Sequence, residues 1–491
     1  MSQSGPVTLA IESVSFFMRN VRMRLPFRYG KACLTAAPLL HVKLVARDED
    51  GIAVTGTSAD MLPPKWFDKA ADKDYRRNIS DLVLAAKTGV QGYLAVANSC
   101  RTPFEIWREA YGLVQDATQI VGLNALTGSF GSSIIERALI DAAGKTVECS
   151  YHTLVKQNLL GIDPGLVHKE LAGIRLEDAI PAEPARTIAV RHTVGLGDPI
   201  VDADVAPADR LNDGIPQSVE AWIREAGVRY FKVKVCANLD IDKPRLVALA
   251  TLLDKTVPGA YHLTLDGNEQ FHNVDELRTW YAALADTAEV RELLSRVLLI
   301  EQPIERSAAL SDTGARGLAA ASELPPVIID ESDDHIDAFK TAAALGYRGV
   351  SVKNCKGVFQ GLMNRMLVDH FNEQDSARYT LSAEDLCNQP LVPLQQDLCA
   401  LSVLGIEHAE RNGHHYCGTL DHVSHLEVDD CLKVHAGLYE RFGTSAKLRI
   451  HDGTLDLRSL QQPGFGLGNV VDYSDMVPLH DWEYESLDVE E

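Results

Sequence analysis

The stretch FKVKV at residues 231–235 decides how the chain is read. Its positions alternate in the manner of a β-strand, which puts Lys232 and Lys234 on one face. Ammonium groups that close repel one another. In a chain of formal net charge −22, something negative, or some use, has to offset that cost. Working outward, other short apolar runs follow the same format: TIAVRHTVGL before it, then HLTLDG, VLLIEQP, PVIIDES, GVSVKNC, RYTLSAED and VLGIEHAE. Between most of them lies a helical pattern such as DIDKPRLVALATLLDK, NVDELRTWYAALAD or HIDAFKTAAALG. Eight such β/α alternations predict a closed parallel barrel, with a doubly wound open sheet as the competitor. Charged side chains stand at the C-terminal end of run after run. In a barrel that is the catalytic face, and this favours the barrel.

The text on either side of the runs differs. Residues 7–60 alternate as strands, with Asp50-Gly51 as a hairpin turn, and residues 74–157 change to helices. One of these, in SSIIERALIDAAGKTV, is expected to stop at Gly144. Residues 1–185 are therefore read as an α+β capping domain and 186–442 as the barrel. Residues 443–491 return to strand-like text in KLRIHDGTLDL, pair with the cap, and end in HDWEYESLDVEE, an acidic tail read as solvated. Extra text occurs at residues 160–185 and in GDPIVDADVAPADRLNDGIPQ at 197–217, which leaves the catalytic face and carries five aspartates.

Composition narrows the function. The acidic balance and the lack of a Lys/Arg run argue against a nucleic-acid binder, which needs a basic patch. Nine scattered cysteines without a Cys-x-x-Cys pair read as buried or free thiols in a reducing compartment. The N-terminal text has no basic region followed by a long apolar one, and no apolar run is long enough for a membrane span. A cytoplasmic protein without a membrane partner is expected.

The strand ends carry Lys232 and Lys234, then Asp266 with Asn268, Glu301, Asp330 with Glu331, and Lys353. Three carboxylates on consecutive strands are expected to converge on one point. Oxygen ligands without His or Cys favour a hard cation, Mg²⁺, with Mn²⁺ as its substitute. A lysine used as a base needs nearby positive charge or desolvation, and Lys232 with a dication would provide that for Lys234. A metal-dependent hydrolase barrel would want His-x-His on its first strand, where His192 stands alone and reads as structural.

Together these motifs resemble the enolase superfamily, in its mandelate racemase and muconate lactonizing enzyme family, and there the muconate-lactonizing-enzyme-like subgroup. The resemblance covers nearly the whole chain. It matches Lys232 and Lys234 to the second-strand Lys-x-Lys, Asp266, Glu301 and Asp330 to the metal ligands, and Lys353 to the sixth-strand lysine. The mandelate-racemase-type subgroup is disfavoured, because RYTLSAED has no His and the sixth-strand position is Lys353. The fold implied is a modified (β/α)8 TIM barrel of (β/α)7β type, under an α+β cap completed by the C-terminal segment. The activity implied is Mg²⁺-dependent removal of the proton α to a carboxylate of a small-molecule substrate, through an enediolate. Lys234 and Lys353 would be opposed acid/base residues of a racemase or epimerase, and Lys232 would bind the substrate carboxylate. β-Elimination or cycloisomerisation, as in a dehydratase, lactonizing enzyme or succinylbenzoate synthase, shares the first half of the reaction. A non-catalytic metal- or acid-binding descendant is the alternative of another class. Glu384, Asp385, Glu407 and His408 stand where such proteins read the distal part of a substrate, and each reads equally as a structural polar residue. Phe27, Tyr29 and Trp66 are candidate lid residues, or interdomain packing. A homo-oligomer is implied by the resemblance alone.

Overall fold

The computed structural model of the chain describes residues 5–29, 32–374 and 378–489. Its N-terminal strands, β1 (Ala10–Tyr29), β2 (Ala32–Arg47) and β3 (Ala53–Met61), form an antiparallel sheet. The β2–β3 turn is built by Asp48, whose carboxylate accepts the Asp50 and Ile52 N–H groups at 3.1 and 2.8 Å, with Gly51 at φ +80°. Helices α1 (Tyr75–Val96) and α3 (Ala125–Thr146) pack on this sheet, and α2 (Pro103–Ile120) packs on both of them. Asp74, Thr102 and Asn124 cap them, Thr102 in a reciprocal pair with Glu105. Almost every residue of α3 is buried between β3 and the other two helices. It runs past Gly144 to Thr146, where a stop was expected. A Cβ at Gly144 would stand 2.6 Å from Gly464 Cα, so this glycine serves a close backbone approach rather than helix termination.

Eight parallel strands follow: β4 (Thr187–Val194), β5 (Tyr230–Lys234), β6 (His262–Asp266), β7 (Val297–Glu301), β8 (Val327–Ile328), β9 (Gly349–Val352), β10 (Thr380–Ala383) and β11 (His408–Arg411). They hydrogen-bond in the order β8-β7-β6-β5-β4-β11-β10-β9. Ile329, just beyond β8, bridges to Val350 and joins the two ends into a ring. Helices such as Leu239–Thr256, Val274–Ala285 and Val358–Gln374 separate the strands in sequence, the arrangement of a TIM-type barrel. None of the helices of the described residues is long and apolar enough to cross a membrane.

The chain's end departs from the sequence reading. Thr454–Asp456 adds antiparallel to β4, and Val477–Pro478 pairs with β1. The final acidic stretch is not a freely solvated tail. Leu487 is 1% exposed, the Trp482 indole N–H donates to Asn20 Oδ1 at 2.9 Å, and Arg76 pairs with Glu485. Single apolar residues among the acids anchor it to the cap.

Cap and barrel meet through polar contacts as well. Glu136 of α3 accepts the Phe359 N–H at 2.6 Å, at the start of the helix that follows β9. Burial pushes its carboxyl up to about 8, against the pull of backbone donors and Arg137. A folded-state value above the unfolded one contributes stability at low pH that is lost as pH rises through about 8. Glu136→Gln, which does not titrate, should therefore gain stability on the wild type between about pH 5 and pH 9 in urea unfolding. A second expectation concerns α1 and α3, which touch backbone to backbone. A Cβ at Gly89 would lie 2.0 Å from Gly131 O, whereas one at Gly112 on α2 would meet nothing within 4 Å. Gly89→Ala should cost about 1–3 kcal/mol, while Gly112→Ala should be neutral or stabilising.

Candidate active site

The C-terminal ends of the strands bring the expected lysines and acids together. Lys234, Asp266 and Glu301 are register partners across β5, β6 and β7, so they occupy one layer. Lys232 points inward from the layer beneath. Its Nζ lies 2.9 Å from Asp266, 2.7 Å from Glu301, 2.7 Å from Glu384 and 2.9 Å from Glu410. Burial alone would lower its pKa, but these four carboxylates hold it well above the ordinary lysine value. With three N–H groups and four acceptors, Lys232 has no donor left for a substrate. That departs from the expectation that it binds the substrate carboxylate.

Lys234 Nζ donates to Asp266 Oδ2 at 2.5 Å. Across the barrel, Lys353 Nζ donates to Asp330 Oδ2 at 2.5 Å and lies 4.3 Å from the centre of the Trp66 ring. Burial opposes the charge of Lys353, yet Asp330 raises its pKa above the usual lysine range. Asp330 is itself held well below the carboxylate range, because Lys353 and Lys356 outweigh burial. Lys356, not anticipated from the sequence, donates to Ser351 O at 2.7 Å and lies 3.3 Å from Asp330 Oδ1. Gln302 fixes the turn that carries Asp330: its side-chain oxygen accepts the N–H groups of Asp330 and Ser332 at 2.8 and 3.0 Å. Gln302, Asn268 and Glu269 all have left-handed φ values of +32°, +40° and +67°. Such strain in side-chain-bearing residues gathers where a site must be held in place.

A cavity of about 30 Å³, room for one or two waters, opens between the two outer lysines. Lys232, Lys234, Asn268, Lys353, Asp385, Glu410 and Asn412 give it polar walls, and Phe27, Tyr29, Leu34, Trp66 and Leu386 cover it. All three candidate lid aromatics are therefore at the site. Phe27 stacks on Tyr416 at 4.2 Å, and the Tyr29 hydroxyl donates to Pro64 O at 2.7 Å. Asp385 has a carboxyl that burial pushes up to about 6 despite Arg411. Glu331 is buried, 3.5 Å from Lys69 of the cap and 3.4 Å from Asn268 Nδ2. A larger cavity of about 1040 Å³ lies outside the ring, lined by residues such as Asn238, Trp280 and Arg316. None of the site lysines or carboxylates reaches it, so chemistry rather than size locates the site.

Two expected residues stand elsewhere. Glu407 is exposed, and His408 sits at the opposite end of β11, where it meets Arg191 at 3.1 Å and stacks on Tyr230 at 4.8 Å. The strand in VLGIEHAE starts later than its apolar pattern predicts, because Gly405, at φ +69°, ends the preceding helix. The strand's true end places Glu410 in the site, its carboxylate accepting from Thr193 Oγ1 at 2.7 Å and from the Asp385 N–H at 2.9 Å. Burial opposes its charge, but Lys232, Lys234 and Lys353 keep it well below the carboxylate range. His192 is buried in a cluster with His414 and His415, as a structural residue would be.

The donor chemistry of Asp266, Glu301 and Asp330 suits Mg²⁺, being all oxygen and drawn from successive strand ends. A cation there would relieve Glu301: burial, with Asp266 and Glu384 nearby, pushes its carboxyl well up and disfavours the charged form, although Lys232 Nζ lies 2.7 Å from Oε2. The three carboxylates lie near enough for Asp266 and Asp330 both to act on Glu301, and lysines pair with each of them. Lys232 stands between Asp266 and Glu301, and Lys353 holds Asp330. Among the described residues no group of three or more His, Cys, Asp or Glu side chains is arranged as an ion cage.

No family model matches the chain, and no curated protein matches it. Solved structures do, over nearly their whole length. One is an enolase from Bradyrhizobium, complexed with magnesium and mandelic acid, with 16% identity, 96% of this chain and 97% of that one covered, and TM-score 0.57. Another is 2-chloromuconate cycloisomerase from Rhodococcus opacus, with 16% identity, 95% and 98% covered, and TM-score 0.59. A dipeptide epimerase from Enterococcus faecalis, complexed with Mg and the dipeptide L-Leu-L-Tyr, has 13% identity, 93% and 99% covered, and TM-score 0.54. The likeness shows the fold: an α/β chain with a modified (β/α)8 barrel beneath an α+β cap.

The contrast between the lysines is measurable. Lys232→Met removes the one ammonium shared by four buried carboxylates. It should lower stability by about 3–5 kcal/mol in denaturant unfolding, the range for breaking a buried ion pair. Lys234→Met, which loses a contact to Asp266 alone, should cost less.

Proposed function

We propose that the chain is an enolase-superfamily enzyme of the mandelate racemase and muconate lactonizing enzyme type, which removes the proton α to the carboxylate of a small-molecule substrate. The reading places Lys234 and Lys353 as opposed acid/base residues of a racemase or epimerase. One observation carries it. β5 and β9 lie four strands apart in either direction round the eight-stranded ring, and the lysines at their ends face one cavity from opposite sides. Each has one carboxylate partner and one open side, unlike Lys232. Mg²⁺ would be held by Asp266, Glu301 and Asp330 and would supply fixed positive charge for the substrate carboxylate, as magnesium accompanies the Bradyrhizobium and Enterococcus proteins. Lys232 keeps those acids in register without touching substrate. The aromatic roof excludes water and has to lift to admit a substrate larger than one or two waters.

A one-base reaction, β-elimination or cycloisomerisation, is favoured by a different observation. Asp330 raises the pKa of Lys353, which keeps that lysine protonated and suits it to stabilising negative charge rather than taking a proton. Lys234 then acts alone as the base.

The two readings separate in D₂O. With a library of carboxylic acids and Mg²⁺, a racemase should place deuterium on the α-carbon and lose optical rotation, and both lysines should be required. Lys353→Ala should abolish inversion yet retain exchange from the face served by Lys234, with turnover lost by about 10²–10⁴-fold for either single replacement. A one-base enzyme should form an eliminated or cyclised product, slowed without face-selective exchange in Lys353→Ala. Turnover unchanged in the Lys234→Ala, Lys353→Ala double variant would reject proton abstraction altogether.

A further inference from the structure

The segment at 197–217, between β4 and the helix Val219–Ala226, spends most of its aspartates on the protein itself. Asp202 pairs with Arg224 at 2.9 Å, and Asp204 accepts the Ile200 and Val201 N–H groups at 3.0 Å each. Two others lead to the lysine cavity. Asp198 accepts the Tyr416 hydroxyl at 2.5 Å, and Tyr416 stacks on Phe27 of the roof. Asp213 is gripped by Arg24, three residues before Phe27 on β1: Nη2 lies 3.1 Å from Oδ1, and Nε donates to Oδ2. The same guanidinium donates to Ile215 O at 2.7 Å and to His415 O at 3.1 Å. β1 needs this grip. Arg22 pairs with Ala36 and Phe27 with Leu34, so residues 23–26 lie outside the β1–β2 register, and Pro26 has no N–H to give.

We propose that this insertion is the clasp of the roof: Asp213, through Arg24, holds Phe27 over the lysine cavity, and opening that ion pair lets the roof lift for substrate. Arg24 is then a positioning residue, acting through Phe27 and touching no reacting atom. The geometry suits a latch that opens reversibly. The Arg24 side chain is 8% exposed and that of Asp213 33%, so one partner is anchored in the fold and the other meets solvent, where an ion pair breaks at small cost. Two nitrogens on two oxygens make the closed state specific. The closed cavity of about 30 Å³ admits no organic acid, so the roof has to move. Residues 23–26 are the part of β1 that moves with least disruption of its ladder to β2. What a substrate gains from the opening rests on the function proposed above; the clasp itself does not.

Cys387 reports the opening without any substrate. It is 2% exposed and lines the lysine cavity beneath the roof, whereas Cys399, in the helix Val392–Leu404, is wholly buried and does not line it. The full-length protein is alkylated with iodoacetamide at one pH, and each cysteine is followed by peptide mass. Arg24→Gln and Asp213→Asn should each speed Cys387 by about fivefold or more, the upper end for an exposed ion pair. The double variant should be no faster than the quicker single one, because both break the same pair; a product of the two effects would show separate contacts and overturn the clasp. Arg24→Lys, which keeps the charge but not the fork, should fall between. Cys399 should keep its wild-type rate throughout. A purely structural role would raise both cysteines together and would overturn the clasp, as would wild-type rates at Cys387. If Arg24→Gln does not fold, Asp213→Asn, on the exposed side of the pair, decides alone. Labelling and deuterium exchange are separate measurements, so the clasp and the proposed reaction fail independently.

Discussion

Lys232 carries its charge out of bulk water, and four carboxylates from four other strand ends close on it. Neither half is stable there alone. An isolated ammonium or carboxylate in the interior costs several kcal/mol, and only mutual proximity with good hydrogen bonding returns it. Because Asp266, Glu301, Glu384 and Glu410 belong to β6, β7, the end of β10 and β11, one ammonium on β5 sets the spacing of five strands. The two outer lysines owe their freedom to this. With Lys232 holding four acids together, Lys234 and Lys353 each keep one carboxylate partner and a side open to the cavity.

The roof over that cavity is fixed by the same kind of bookkeeping. Arg306 donates to the carbonyls of Trp66 and Phe67 at 2.9 Å each and to Glu269 at 2.7 Å. Lys69, three residues after Trp66, pairs with Glu269 as well. Burial raises the pKa of Glu269, but Arg306 and Lys69 overcome it and lower the value below the usual one. A loop of the cap is thus held by ions of the barrel, and the indole that shields Lys353 is positioned by charges rather than by apolar packing alone.

Much of this was legible in the sequence, because the physics that marks a barrel site is local. The strand period put Lys232 and Lys234 on one face, and the acids following each apolar run fell where parallel strands end. Other features rest on pairings that no local pattern records. Arg191 and Glu384, 193 residues apart, form a buried pair that fixes one of the four acids on Lys232. Glu410 lies two residues beyond His408, and the glycine that ends the preceding helix has no local mark that separates it from the start of a strand. Leu487 showed one apolar side chain among acids, too little signal to predict an anchored end.

The ring of strands is not equally thick all round. β5 and β6 share five register pairs, but β10 and β11 share only Ala383 with Ala409. β8 and β9 are joined by three backbone hydrogen bonds, from Arg348 to Val327, Ile329 to Gly349 and Ser351 to Ile329. These two thin seams are where the charged groups cross. Glu384 and Glu410 meet on Lys232 over one, and Lys353 grips Asp330 over the other. Between the seams lies an arc made of β9, β10 and the helix connecting them. Its amide protons should exchange with solvent as one unit whose breathing follows the ionisation of the site, so the groups set for chemistry also serve as the clasps of the barrel.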